Sequence, residues 1–188
     1  GDQGRGDDGE GHLEHHEDRL GDGVGQRHGA LLQTVQQEAI HAASRAQAHV
    51  THNNPLSDAA TECVIQMIQM ALMGMDKGSM IEGPVAQLVA RHPEFLFRRK
   101  RPGKNPSAYI VDTMRVVLEV FEKTDSFETC LVEVVNRGGD ADTTGAIAGM
   151  IVGALYGAGA IPDSWLRKLE GETRDRCIQQ ALNLVRRD

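Results

Sequence analysis

The residues with the clearest chemical potential lie in one short stretch, Asn136-Arg137-Gly138-Gly139-Asp140-Ala141-Asp142-Thr143-Thr144. The carboxylates of Asp140 and Asp142 and the hydroxyl of Thr143 are hard oxygen donors, which suit Mg²⁺ or Mn²⁺ and disfavour zinc. Gly138 and Gly139 let the backbone turn tightly enough for both carboxylates to converge on one ion. We therefore predict a metal site formed by Asp140, Asp142 and Thr143.

Two other interpretations of this stretch stay open. An aspartate at the start of a helix is stabilised by the helix dipole and by unpaired N–H groups, although one aspartate would be enough for that purpose. Residues 140–144 also match the D-x-D-x-T pattern of haloacid-dehalogenase-type phosphatases. In those enzymes the motif follows a buried β-strand of an α/β domain, whereas here it follows a predicted helix. The context therefore favours the metal site.

A stripe of glycines follows the acidic stretch, at Gly145, Gly149, Gly153 and Gly157. Residues four apart share one face of a helix, so this face would be bare and open to close approach by another helix. The same pattern suits a membrane helix that dimerises through small residues. However, the uncharged segment is shorter than the roughly 20 residues of a membrane span. A buried helix of a water-soluble fold is the preferred interpretation, and a small membrane-associated helical protein is the alternative.

Apolar residues recur at helical spacing along most of the chain, and no segment alternates with the period of a β-strand. We therefore predict an all-α fold, a compact bundle of helices that positions the acidic stretch in a helix-to-helix loop. Ser57 or Asp58, Ser79 and Asp125 are the predicted helix N-caps. The predicted helices are Ala59–Gly74, Ser79–Arg91, Ser107–Lys123, Asp125–Gly138, the glycine-stripe helix, Pro162–Leu169 and an amphipathic helix Glu172–Arg187.

Overall composition narrows the choice of partner and compartment. The net charge of −7 argues against general nucleic-acid binding, and basic residues cluster only at residues 98–101. Cys63, Cys130 and Cys177 are odd in number and widely spaced, which fits neither a disulfide framework nor a zinc site. The sequence shows no apolar segment typical of a secretory signal. We expect a cytoplasmic protein without a transmembrane span.

The first part of the sequence differs in character from the rest. Residues 1–29 are dense in Gly, Asp, Glu and His and have few apolar side chains, so they cannot offset their ordering entropy by burial. Helix formers begin at Ala30. We predict a largely disordered segment over 1–43 and a folded domain over 44–188. The histidines of the first segment have no periodic scaffold, so a solvated tail is preferred over a metal site there: His12, His15, His16 and His28.

Residues 136–149 closely resemble the C-terminal metal-binding signature of the ADP-ribosylglycohydrolase family. The resemblance extends to Ala-His-Val-Thr-His-Asn-Asn-Pro-Leu-Ser-Asp at 48–58 and to Pro-Ser-Ala-Tyr-Ile-Val-Asp-Thr at 106–113. It covers residues 44–188 and is greatest for bacterial members that act on dinitrogenase reductase. The signature at 136–149 is quite specific, and the other two segments support it.

The resemblance implies an all-α domain around a binuclear Mn²⁺ or Mg²⁺ centre that hydrolyses the N-glycosidic bond between ADP-ribose and an arginine side chain. Asp140, Asp142 and Thr143 match the family's metal ligands. His52 matches a loop beside the substrate, and Tyr109 matches the aromatic residue that contacts ADP-ribose. The implied partners are ADP-ribosylated dinitrogenase reductase, whose reactivation regulates nitrogen fixation, and nitrogen-regulatory proteins.

The sequence also departs from the family pattern. The family's Thr-Asp-Asp loop, which carries further ligands, is not found in it, and the Gly-Asp-x-x-Gly spacing of its helix occurs only at residues 21–25, inside the segment predicted to be disordered and not in a predicted helix. The catalytic group is therefore unknown. We expect a domain that is incomplete at its N-terminus, with residues 1–43 either native or misread in frame. An inactive ADP-ribose-binding or metal-binding protein is the alternative to a hydrolase.

Overall fold

The computed structural model describes residues 38–51, 53–98 and 105–185. Within these ranges the secondary structure is helical and contains no strand, which confirms the predicted all-α fold. The chain divides into two units, residues 1–47 and residues 48–188. Residues 38–48 form helix α1. Residues 1–37, and with them most of the segment predicted to be disordered and its histidines, lie outside the described residues.

The second unit is helical along most of its described residues. Its helices are α2 (Pro55–Leu72), α3 (Lys77–Met80), α4 (Ala86–Arg91), α5 (Ile110–Lys123), α6 (Phe127–Asn136), α7 (Ala141–Tyr156), α8 (Asp163–Leu166) and α9 (Gly171–Val185). A π-helical turn, Ile81–Val85, joins α3 to α4, and short 3₁₀ turns occupy Pro93–Phe95 and Ala158–Ala160. The π turn contains Pro84, whose missing N–H leaves an i−4 carbonyl without its usual partner.

Helix α5 lies at the centre of the hydrophobic core and is packed against α2, α6 and α7. Its side chains Met114, Val117 and Phe121 are at most 2% exposed. Met67 of α2 and Ile151 of α7 are fully buried in the same cluster. Burying such apolar side chains contributes about 1.5–3 kcal/mol each, so this cluster fixes the positions of the helix ends that surround it.

The glycine stripe of α7 packs against α6, as the spacing predicted. A Cβ atom placed on Gly145 would lie 3.4 Å from Val135, one on Gly149 3.8 Å from Leu131, and one on Gly153 3.9 Å from Phe127. The partner residues also recur every fourth position, so the two helices are antiparallel neighbours along their length. Gly157 does not belong to this contact; it has a φ of 77° and ends α7. Within the described ranges, no helix has the length and apolar character needed to cross a membrane.

Several helices begin at residues other than the predicted caps. Asn54 caps α2, because its side-chain oxygen accepts the N–H of Leu56 at 2.8 Å and Pro55 occupies the first helical position. Asp76 caps α3 by accepting the N–H of Ser79 at 2.7 Å. Ser126 caps α6 by accepting the N–H of Thr129 at 3.1 Å. The predictions of Ser57 or Asp58, Ser79 and Asp125 were wrong, because the capping side chain lies three or four residues earlier at α2, three earlier at α3 and one later at α6.

Helix α9 forms as predicted but its apolar stripe does not pack. Ile178 is 52% exposed and Leu182 is 43% exposed, although the 3.6-residue period predicted a buried face for them. Residues 171–184 are all exposed. The spacing of apolar residues therefore predicted the helix correctly but not the exposure of its apolar face.

Candidate metal centre

The turn between α6 and α7 has the tight backbone that the paired glycines predicted. Gly138 has a φ of 73° and Gly139 a φ of 64°, a region that side-chain-bearing residues rarely adopt. The two glycines carry the chain from the C-terminus of α6 at Asn136 to Asp140, which precedes the first residue of α7. The turn thereby places Asp140 and Asp142 at the same helix end.

A second segment, Asn105-Pro106, holds this turn from the side. The N–H of Asn105 donates to the carbonyl oxygen of Arg137 at 2.8 Å, and the N–H of Asp140 donates to the carbonyl oxygen of Pro106 at 2.9 Å. A Cβ atom on Gly139 would overlap the Pro106 carbonyl oxygen and lie 2.6 Å from the carbonyl carbon of Asn105. The turn is thus fixed by backbone contacts from a segment more than thirty residues earlier in the sequence.

The hydroxyl groups of Thr143 and Thr144 have different roles. Thr143 is exposed, and its Oγ1 donates to Asp140 Oδ1 at 3.0 Å. Thr144 is fully buried, and its Oγ1 donates to the carbonyl oxygen of Asp140 at 2.9 Å. Thr144 therefore stabilises the first turn of α7, whereas Thr143 presents an oxygen beside the carboxylate of Asp140.

The carboxylates of Asp140 and Asp142 interact with each other. A hydrogen bond donated by the Asp140 carboxyl, which forms only while the two groups share a proton, lowers the pKa of the Asp142 carboxyl below its ordinary value, and the nearby backbone N–H groups of Asp142 and Thr143 lower it further. Asp140 stands at the N-cap position, yet its side chain makes no capping hydrogen bond to the helix. The capping interpretation therefore does not account for Asp140.

These side chains fit a hard divalent cation by their chemistry. Two carboxylates and a hydroxyl supply oxygen ligands, and the paired negative charge at one helix end would be offset by a bound cation. Within the described residues, Asp140 and Asp142 are joined by no third acidic, histidine or cysteine side chain that would complete a metal-binding group. The predicted ligands Asp140, Asp142 and Thr143 are thus brought together, and their binding of a metal stays a prediction.

Beneath the turn, Arg137 anchors the end of α6. Its Nη2 lies 2.6 Å from Glu133 Oε1 and 3.5 Å from Glu119 Oε1, and its side chain is only 9% exposed. Glu119, on α5, is also paired with Lys123 at 2.8 Å. These ion pairs connect the start of the turn to the central helix α5 and so help to hold the acidic residues in place.

Tyr109 lies at the start of α5, in the segment that continues from Pro106. Its side chain is 49% exposed, and its N–H donates to Ser107 Oγ at 3.2 Å. Ser107 Oγ donates in turn to Asp112 Oδ2 at 2.9 Å. The Tyr109 ring is therefore accessible on a loop whose first residues are bonded to the acidic turn, and its predicted contact with ADP-ribose stays a prediction.

His52 lies outside the described residues, and residues on either side of it lead into the start of α2. His49 Nε2 lies 2.9 Å from Asp58 Oδ2, which links the segment before α2 to the first turn of that helix. Helix α2 is in contact with α7. The predicted substrate role of His52 stays a prediction.

Sequence reasoning missed the part played by Asn105 and Pro106. The paired glycines were a signal that another segment approaches closely, but they did not indicate which one. Arg98, from the basic run, forms an ion pair with Glu122 at 2.5 Å. The acidic stretch follows helix α6 and not a β-strand, so the context expected for a D-x-D-x-T phosphatase is not met.

A model of the ADP-ribosylglycohydrolase family matches residues 25–188. ADP-ribosyl-[dinitrogen reductase] glycohydrolase from Rhodospirillum rubrum is 48% identical over 126 residues, which cover 66% of this chain and 42% of the relative. ADP-ribosylarginine hydrolase Tri1 from Serratia proteamaculans is 36% identical over 91 residues, 48% of this chain and 25% of the relative. The solved structure of an ADP-ribosylglycohydrolase-related protein complex superimposes with a TM-score of 0.64 at 33% identity, covering 72% of this chain and 49% of that chain. The chain spans less than half the length of these relatives.

Proposed function

This chain belongs to the ADP-ribosylglycohydrolase family, and we propose that it hydrolyses the N-glycosidic bond between ADP-ribose and an arginine side chain. The proposed physiological substrate is ADP-ribosylated dinitrogenase reductase, because the R. rubrum relative is named for that substrate and shares 48% identity. Removal of the modification would reactivate the reductase and so regulate nitrogen fixation. Nitrogen-regulatory proteins are the proposed further partners.

One observation supports this proposal most strongly. Asp140, Asp142 and Thr143 lie close together on one turn, and that turn is hydrogen-bonded to the segment that leads from Asn105 to Tyr109. Cation ligands and an accessible aromatic ring are two features that suit ADP-ribose, which carries a diphosphate, two ribose groups and an adenine ring. An exposed aromatic ring offers a stacking surface for the adenine or a face for the ribose. The acidic turn, which is bonded to Asn105 and Pro106 of the same segment, supplies the oxygen ligands.

Asp140, Asp142 and Thr143 are the proposed ligands of Mn²⁺ or Mg²⁺. When bound, a divalent cation supplies Lewis acidity and a template that orients the ribose hydroxyls and a water molecule. The Asp142 carboxyl is ionised near neutral pH, because the ordinary aspartate pKa of 3.8 is already well below neutral and the pKa of Asp142 is lower still. Thr143 holds Asp140 Oδ1 by a hydrogen bond of 3.0 Å, which fixes the orientation of that carboxylate. His52 and Tyr109 are the proposed substrate contacts.

The proposed reaction takes place in the cytoplasm. Cys63, Cys130 and Cys177 are all in the thiol form, which suits a reducing compartment.

Release of ADP-ribose from ADP-ribosylarginine, measured with the purified chain and Mn²⁺, tests the proposal. We expect Asp142→Asn to lower the rate at least about a hundredfold, because the ligand charge is lost while the shape is kept. Asp163→Asn is the matched control, since Asp163 is an exposed aspartate in the first turn of α8. Equal and measurable rates in wild type and Asp142→Asn would overturn the proposed metal role, and no release by the wild-type chain would overturn the proposed hydrolysis.

A second candidate function is binding of ADP-ribose or a metal without hydrolysis. Partial coverage of the relatives supports this second candidate, because this chain matches only 42% of the R. rubrum relative. The two candidates differ in one result. A binding protein would take up ADP-ribose in the presence of Mn²⁺ but release none from ADP-ribosylarginine, and a hydrolase would do both.

A further inference from the structure

Asn105 stands out by its backbone. Among the residues that the structure describes, it is the one residue other than glycine with a positive φ, 48°. Asparagine tolerates this left-handed region better than other side-chain-bearing residues, but the conformation is still uncommon and is retained where the surroundings require it. What requires it here is the contact of Asn105-Pro106 with the acidic turn.

The contact has two sides. On one side, the N–H of Asn105 donates to the carbonyl oxygen of Arg137 at 2.8 Å. On the other, the carbonyl oxygen of Pro106 accepts the N–H of Asp140 at 2.9 Å. Because Asp140 precedes the first residue of α7, its N–H has no partner within that helix, and Pro106 supplies one. The left-handed turn at Asn105 aims the Pro106 carbonyl at this N–H.

The close fit against the glycines shows that the contact leaves little freedom. A Cβ on Gly138 would lie 2.6 Å from Asn105 Oδ1, and a Cβ on Gly139 would overlap the backbone of Pro106. Pro106 is buried, and proline itself has a fixed φ. The two segments are therefore rigid where they meet, and a change in the backbone of Asn105 is passed to Asp140.

We infer that Asn105 is a positioning residue for the acidic turn: its left-handed backbone sets the Pro106 carbonyl that fixes Asp140 in the geometry needed to bind a divalent cation. The inference rests on the proposed function for the identity of the ligand. It assigns Asn105 no contact with the cation or the substrate. Asn105 acts through Pro106 and Asp140, so its effect depends on its backbone conformation and not on its side-chain amide.

This distinction defines the variants. Asn105→Ala disfavours the positive φ, whereas Asn105→Gly removes the side chain and keeps the left-handed conformation accessible. Asn183→Ala is the matched control, because Asn183 is exposed on α9. Each variant is titrated with MnCl₂ by calorimetry, and amide hydrogen exchange of Asp140 is followed in the metal-free protein. The melting temperature is measured for each to verify that it is folded.

We expect Asn105→Ala to weaken Mn²⁺ binding at least about fivefold and to speed exchange of the Asp140 amide. Asn105→Gly and Asn183→Ala should stay within about twofold of wild type in Mn²⁺ affinity. If Asn105 had only a structural role, Asn105→Ala would lower the melting temperature, and Mn²⁺ affinity would not differ between Asn105→Ala and Asn105→Gly.

Two results would overturn the inference: wild-type Mn²⁺ affinity in Asn105→Ala, or an Asp140 amide that exchanges equally fast in wild type and Asn105→Ala. A failure of the proposed function is recognised differently, by wild-type protein that binds no Mn²⁺. In that event the amide exchange still decides whether Asn105 positions Asp140.

Discussion

Pro106 lies so close to Gly139 that a side chain at position 139 would overlap its carbonyl oxygen. The same carbonyl oxygen accepts the N–H of Asp140 at 2.9 Å. The glycine is therefore required twice, once for its φ of 64° and once for the space that it leaves. This relationship joins the segment leading to Tyr109 to the turn that carries the proposed metal ligands.

Replacing Gly139 by alanine should destabilise the protein and impair Mn²⁺ binding. We expect a loss of at least about 2 kcal/mol in the free energy of unfolding, because a strained φ and a steric overlap with backbone act together. Urea denaturation measures the loss. Gly159→Ala is the control, since a Cβ there meets no atom within 4 Å and the backbone is not left-handed. A Gly139→Ala variant as stable as wild type would contradict the contact with Pro106.

Replacing a glycine of the α7 stripe by alanine should raise the stability of the protein, unlike the same change at Gly139. A Cβ on Gly149 would lie 3.8 Å from Leu131, which is an ordinary van der Waals distance. Gly149→Ala should therefore stabilise the protein by about 0.5–1 kcal/mol through the higher helix propensity of alanine. At Gly145, where the distance to Val135 is 3.4 Å, the gain should be smaller. Urea midpoints of the two variants test this order, and a loss of stability in Gly149→Ala would mean that α6 and α7 pack more closely.

The acidic pair should contribute to the pH dependence of stability. The pKa of Asp142 is lower in the folded protein than its ordinary value of 3.8, so its ionised form stabilises the fold. That contribution is present above the ordinary value and is lost as the pH falls through the folded-state pKa. Asp142→Asn should lose less stability than wild type as the pH is lowered through and below 3.8 in EDTA.

Asp76→Asn is a positive control for that measurement, because the N–H of Ser79 lowers the pKa of Asp76 in the same direction. Thermal unfolding followed by circular dichroism at several acidic pH values gives the comparison. The same acid-side decline in wild type and Asp142→Asn would mean that the Asp140–Asp142 interaction does not form in solution.

The three cysteines should differ sharply in reactivity. Burial, with a smaller effect of Glu62, raises the pKa of the Cys63 thiol to about 12, and burial also raises the pKa of Cys130. Cys177 is exposed on α9. Because the thiolate is the reactive form, a disulfide reagent at pH 8 should label Cys177 rapidly and the other two only after unfolding. Rapid labelling that persists in Cys177→Ser would contradict the packing of α2 or α6.

Much of the helical fold could be predicted from the sequence, because apolar residues at helical spacing indicate which face of a helix is buried. The stripe of α7 and its approach to another helix followed from Gly145, Gly149 and Gly153. The helix starts were less accurate, since several polar residues near each start can cap it and only the backbone geometry selects Asn54, Asp76 or Ser126. The exposure of Ile178 and Leu182 depends on which other residues pack against α9. The spacing of apolar residues along the helix gives no information about that packing.

The candidate site was predictable to the same extent. The residue types at 140, 142 and 143 indicate a hard cation by their chemistry, and Gly138 and Gly139 indicate a tight turn. The support from Asn105 and Pro106 was not predictable, because a contact between positions 105 and 139 arises only when α5 and α6 pack together. The buried pair of Glu119 and Arg137 was missed for the same reason.

We propose that the turn at the start of α7 binds a divalent cation as part of an ADP-ribosylarginine hydrolase. Calorimetric titration of the purified chain with MnCl₂, with and without ADP-ribose, is the decisive test. We expect saturable binding that is lost in Asp142→Ala, retained in Asp163→Ala and strengthened by ADP-ribose. Absence of binding to the folded wild-type protein, or equal binding by Asp142→Ala, would contradict it.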